Sequence, residues 1–179
     1  MLISHKYKFI FIKTKKTAGT SIELELSKVM DVNDVVTKIT PVEQGHIARN
    51  YILNGAKMYN HMPALEVKEI IGSDMFDSYF KFCVEREPVD KCLSHFSMLR
   101  NSPYHNKRNG TLDWKTYVKE KKFPLDYKKY TDVWGRLVVD KIIKYEELKN
   151  DLFDIMNKLG VPFKSLKAFA KSGYRNKKL

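Results

Sequence analysis

The chain has 179 residues, 43% hydrophobic and 12% aromatic, too apolar for a disordered polymer and of a length that fits one domain, residues 1–179, around a single core. No apolar run approaches the roughly 20 residues that cross a bilayer, and the N-terminal Met1-Leu-Ile-Ser-His lacks the apolar region and cleavage site of a secretory leader. Lys and Arg outnumber Asp and Glu 33 to 21, a formal +12, which points to a polyanionic partner such as nucleic acid, an acidic polysaccharide or a phosphorylated nucleotide. The two cysteines, Cys83 and Cys92, have neither metal-site nor disulfide-framework spacing, so a reducing, cytoplasmic setting without a structural metal is expected. Residues 164–179 form a basic tail: Lys164, Lys167, Lys171, Arg175, Lys177 and Lys178 face no acidic residue there. Such a tail is either a solubilising end or part of an anion site.

Tyr7 to Thr14 reads as a strand whose apolar centre, Phe9-Ile-Phe-Ile, suits a sheet covered on both faces. After a polar loop, Ile22, Leu26, Val29 and Met30 form the stripe of an amphipathic helix. Lys57 to Asn60 reads as a short strand, and Pro63 to Ile71 as a helix with proline in its first turn and Gly72 as its stop. Tyr79 to Glu85 is the second clear strand, and Pro88 opens the next helix. Thr111 is expected to cap a helix through Lys122. Val138 to Tyr145 reads as the third strand. A last helix, Glu146 to Leu159, ends at Gly160 before Pro162. Strands separated by helices predict an α/β protein, a three-layer α/β/α arrangement with a central, mostly parallel sheet. In such folds ligands bind beyond the carboxyl ends of the strands. The loops near residues 15–21, 86–94 and 145–147 are therefore expected to face one crevice.

The first of these loops, Lys15-Lys-Thr-Ala-Gly-Thr-Ser21, lies between a strand and its helix. Unpaired N–H groups and the helix dipole favour an anion there. Gly19 is expected to allow close backbone approach, Thr17, Thr20 and Ser21 to supply hydroxyl donors, and Lys16 a full charge. The logic is that of a P-loop, but the lysine precedes the glycine and the first glycine is absent, which disfavours an ordinary nucleoside-triphosphate site.

Phe11-Ile-Lys-Thr-Lys-Lys-Thr-Ala-Gly-Thr-Ser21 resembles the F-I-x-x-P-K-T-A-G-T-S signature of sulfotransferases that use 3′-phosphoadenosine 5′-phosphosulfate (PAPS). Lys15 replaces the usual proline. Glu85-Arg-Glu-Pro-Val-Asp-Lys-Cys-Leu-Ser94 is similar to the family's V-R-N-P-x-x-R-x-x-S segment, with Glu87 bringing a negative charge where asparagine is usual. Asp140-Lys-Ile-Ile-Lys-Tyr-Glu-Glu-Leu148 resembles a late strand ending in R-Y-E-x-L, so residues 7–162 follow the family's order.

The resemblance implies a P-loop-like site in which Lys15, Lys16, Thr17, Ala18, Gly19, Thr20 and Ser21 hold the phosphosulfate. Arg86 and Ser94 would grip the 3′-phosphate, and Arg175 would close over the nucleotide. It implies sulfuryl transfer from PAPS to a hydroxyl acceptor, a carbohydrate or small molecule, leaving the bisphosphate PAP, with no metal. Lys16 would neutralise the leaving phosphate. His61, between the two nucleotide motifs, is the first candidate for the base; His46 is the second, Glu85 a rival, and His95 and His105 are weaker. Two alternatives belong to other classes: a basic nucleic-acid-binding protein, and a nucleotide kinase with a degenerate P-loop.

Overall fold

The computed structural model describes residues 1–167. In chain order its elements are β1 (Leu2–Ser4), β2 (Phe9–Ile12), α1 (Gly19–Leu26), β3 (Val35–Val36), β4 (Ile52–Leu53), β5 (Ala56–Lys57), α2 (Ala64–Ile71) and α3 (Ser73–Ser78). There follow β6 (Phe80–Glu85), α4 (Pro88–Asn101), α5 (Asn106–Asn109), α6 (Trp114–Glu120), β7 (Lys141–Lys144) and α7 (Leu148–Lys158), with short 3-10 turns at Tyr127–Lys129 and Tyr145–Glu147.

One sheet has the order β3-β1-β2-β6-β7. β2 pairs parallel with β6, and β6 parallel with β7, each through a helical crossover. β1 runs antiparallel to both β2 and β3, so four of the five strands share one direction. The sheet is mixed α/β and mostly parallel. β1 and β3 are too short, at three and two residues, to leave a periodic signal in the sequence.

Side-chain alternation divides the core. Phe9 and Phe11 of β2, with Phe82 and Val84 of β6, pack against Ile22 and Leu26 of α1 and Leu152 and Met156 of α7. Ile10, Ile12 and Cys83 face the other way, onto Ala64 and Val67 of α2 and Phe76 of α3. Both faces are thus covered, which accounts for the unbroken apolar run in β2.

Several element bounds differ from expectation. α1 stops at Leu26: Ser27 N makes the last i→i−4 bond, to Glu23 O, and Val29 N then closes a turn on Leu26 O; Val29 and Met30 still reach the core from that turn. Of the expected strand at Lys57–Asn60 only Lys57 is in a strand, the second arm (Ala56–Lys57) of the small β4–β5 hairpin, which is separate from the main sheet. α6 is capped by Asp113, whose carboxylate accepts from Thr116 N at 2.9 Å, rather than by Thr111. The third strand begins at Lys141, since Val138 bonds back to Tyr130 across a tight turn. Among the described residues, no helix is long and apolar enough to cross a membrane.

Candidate functional site

The carboxyl ends of β2, β6 and β7 open onto one cavity of about 970 Å3, within the size range of cofactor and substrate sites. Residues 13–21, Arg86, Ser94 and Tyr145 line it, so the predicted convergence of three loops is present. Five cationic side chains (Lys13, Lys15, Lys16, Arg86 and Lys149) share the lining with three carboxylates (Asp90, Glu146 and Glu147). The balance favours an anion. Arg175 lies outside the described residues.

The loop after β2 is shaped by two left-handed residues, Lys16 at φ 62° and Ala18 at φ 61°, a conformation that costs a non-glycine residue on the order of 1 kcal/mol. Ala18 occupies the N-cap of α1 and has no side chain that could cap it. The first turn of a helix carries N–H groups that the helix itself does not satisfy, and this end of α1 borders the cavity.

Two expected roles within the loop are not met. Thr17 is fully buried, and its hydroxyl donates to the Thr14 carbonyl at 3.2 Å while lying 2.9 Å from the Thr14 hydroxyl. Although Thr17 borders the cavity, its hydroxyl is engaged with Thr14 and braces the loop from inside. At Gly19 a Cβ would stand 2.6 Å from Lys13 Cγ and 2.9 Å from its Cε. The space freed by the missing side chain is filled by the Lys13 stem, not left for an approaching ligand.

Lys13 was not singled out by its sequence pattern. Its ammonium pairs with Glu23 at 2.5 Å, and Glu23, wholly buried in α1, also binds the Met1 amino group. Burial alone would raise the Glu23 carboxyl, but the Met1 amino group and Lys13 outweigh it and hold it below its ordinary value. The available signal was a lysine closing an apolar strand run, followed ten residues later by a glutamate on the core-facing helix.

Arg86 reaches between the first two loops. Its Nη1 donates to the Lys16 carbonyl at 3.2 Å, its Nε bonds to Asp90, and its guanidinium lies 4.1 Å from the Tyr145 ring centroid. Ser94 lies on α4, one turn on from Asp90, on the same cavity wall. Glu87 caps α4, accepting from Val89 N at 3.0 Å and Asp90 N at 2.7 Å. Its charge, expected at a phosphate site, is turned to the helix N-terminus.

Of the candidate bases, His61, His95 and His105 line the cavity; His46 does not. Glu85 does not either: it pairs with Lys91 at 2.8 Å and borders a second, apolar cavity of about 420 Å3 with Trp114, Phe123 and Tyr127. His61 sits in a turn with φ 65°, and its Nδ1 lies 3.0 Å from the Lys13 carbonyl. Burial and then the Lys13 charge push its pKa down to about 4. His95, bonded through Nδ1 to the Tyr117 hydroxyl at 3.0 Å, is likewise pushed down to about 4 by burial and by Lys16 and Lys15.

The chain is 31% identical over 105 residues to a protein of Archaeoglobus fulgidus described as an uncharacterized protein; the match takes in 56% of this chain and 84% of the archaeal one. The two belong to one family. No family profile matches the chain.

One residue outside the cavity lining braces its first loop and carries no sequence signal. Asp126, which is 2% exposed, accepts the Lys15 N–H at 2.7 Å and pairs with Lys91 at 2.9 Å. Nothing in the surrounding Phe-Pro-Leu-Asp-Tyr marks it as a support of the loop after β2.

Proposed function

We propose that the chain is a PAPS-dependent sulfotransferase with a P-loop-like phosphosulfate site at the loop Lys15–Ser21 and a 3′-phosphate site at Arg86 and Ser94. The observation that carries this reading is the contact of Arg86 Nη1 with the Lys16 carbonyl, which brings the two signature segments together on one cationic cavity. A donor with an anion at each end fits two such positive positions better than a single phosphate does.

The chemistry is an in-line displacement at sulfur. The sulfur–oxygen bond to the donor's phosphate breaks as a new one forms to the acceptor hydroxyl. The acceptor's proton passes to His61 Nε2, and PAP departs with the electron pair. Lys16 and the first-turn N–H groups of α1 stabilise the negative charge growing on the leaving phosphate oxygen. His61 is neutral at physiological pH, and its Nδ1–H is committed to Lys13 O, so Nε2 presents a lone pair. The acceptor is a carbohydrate or small-molecule hydroxyl.

Labelled-sulfate transfer from PAPS to a panel of glycans and small alcohols tests the reading. Transfer that disappears in Lys16→Ala, with the circular dichroism unchanged, is the expected result. Transfer undiminished in Lys16→Ala would remove the mechanism, and thermal stabilisation by ATP with magnesium or by DNA instead of PAP would favour the kinase or nucleic-acid alternative.

A further inference from the structure

We propose that Asp126 and Lys129 are positioning residues that clamp the turn carrying His61 onto the loop after β2; this rests on the reading of His61 as the proton acceptor. The contacts form a closed circuit. The Lys15 N–H donates to Asp126 Oδ2 at 2.7 Å, and Lys129 Nζ lies 3.8 Å from Oδ1, an ionic contact beyond hydrogen-bond length. The same Lys129 Nζ donates to the His61 carbonyl at 2.9 Å, and His61 Nδ1 returns to the Lys13 carbonyl at 3.0 Å. Lys13 and Lys15 belong to one continuous loop, so the circuit holds that loop and the histidine turn at a fixed separation.

Two physical points support a role in alignment. The backbone at His61 is left-handed, at φ 65°, and such a conformation persists in a non-glycine residue when several contacts hold it there. A carboxylate as buried as Asp126 is costly to desolvate, and an apolar residue often stabilises such a position as well. Here the carboxylate also turns the Lys15 N–H away from the cavity, so the cradle begins at Lys16. The charged groups acting on the imidazole are Lys13, the Met1 amino group and Asp126, with Lys129 on its carbonyl. Loosening the clamp lets water reach the ring and moves its titration back toward the ordinary 6.5.

The test compares Asp126→Ala, Asp126→Asn and Lys129→Met in the full chain, reading the His61 imidazole nitrogens by NMR and kcat against KM for PAPS. Wild type should show one tautomer, protonated at Nδ1. Asp126→Ala and Lys129→Met should show mixed tautomers and a kcat lower by roughly tenfold or more, with KM for PAPS nearly constant; the titration midpoint should rise in Lys129→Met, whereas in Asp126→Ala the lost carboxylate, which raises the imidazole pKa, offsets the gain from hydration. Asp126→Asn keeps an acceptor for the Lys15 N–H and should recover part of the loss. An unchanged His61 spectrum in a folded Asp126→Ala or Lys129→Met overturns the clamp; should Asp126→Ala fail to fold, Lys129→Met decides alone. Absence of transfer in wild type would count against the sulfotransferase reading, while the imidazole spectra would still report on the clamp.

Discussion

His61 Nδ1 and the Lys13 carbonyl stand 3.0 Å apart, and because a carbonyl only accepts, the imidazole proton must reside on Nδ1. This single bond links the end of β2 to the turn before α2. It sets which nitrogen is free for chemistry.

The first prediction concerns acid. His61 and His95 have folded pKa values near 4 against 6.5 for the free side chain, so between those values the unfolded chain binds more protons than the folded one. Their contribution to stability is complete above pH 6.5 and is lost as pH falls toward 4, on the order of 3 kcal/mol for the more deeply buried His61 and less for His95, which solvent screens in part. Urea unfolding from pH 7 to pH 4 should show this slope, and the double variant His61→Asn, His95→Gln should flatten it. An equally steep slope in the double variant would show that the loss arises elsewhere.

The second concerns Gly19. A methyl group there meets the Lys13 stem at 2.6 Å, closer than van der Waals contact, so Gly19→Ala should destabilise the fold by about 1–3 kcal/mol. Adding Lys13→Ala removes the clash while leaving Glu23 short of a partner. A double-mutant cycle should therefore give a coupling of about 1 kcal/mol or more. Simple additivity would contradict the packing of Lys13 over Gly19.

The third concerns Arg86 and Asp90, which are ion-paired. Arg86→Ala should weaken PAP binding by roughly tenfold or more, as expected for losing a charge-assisted hydrogen bond. Asp90→Asn removes a carboxylate that competes with phosphate for the guanidinium and should tighten binding by a few-fold. Calorimetric titration reads both. A weaker affinity in Asp90→Asn would mean that Asp90 orients Arg86 for the ligand instead of competing with it.

Much of the fold was legible because its signals are local. Phe9-Ile-Phe-Ile, Pro88 at a helix start and Gly160 at a helix stop each carry their meaning within a few residues, and all three hold in the structure. β1 was not legible: three residues carry no period, and its place in the sheet comes from pairing on both sides with β2 and β3. The loop 15–21 and the segment 86–94, whose Arg86, Asp90 and Ser94 line the cavity, were legible as motifs. Their internal contacts were not. Thr17 turning inward, Lys13 filling the space over Gly19 and Asp126 crossing 111 positions to Lys15 N all depend on tertiary neighbours that spacing does not encode. Glu23 is the sharpest case: a charged residue beside Ile22 on a short helix reads as solvent-facing, yet it is wholly buried between two cations.

Isothermal titration of the full chain with PAP in magnesium-free buffer tests the central claim most directly. Saturable one-to-one binding that ATP does not displace and that Lys16→Ala and Arg86→Ala each weaken is the expected result. A flat titration with PAP, or an affinity indifferent to both substitutions, would contradict it.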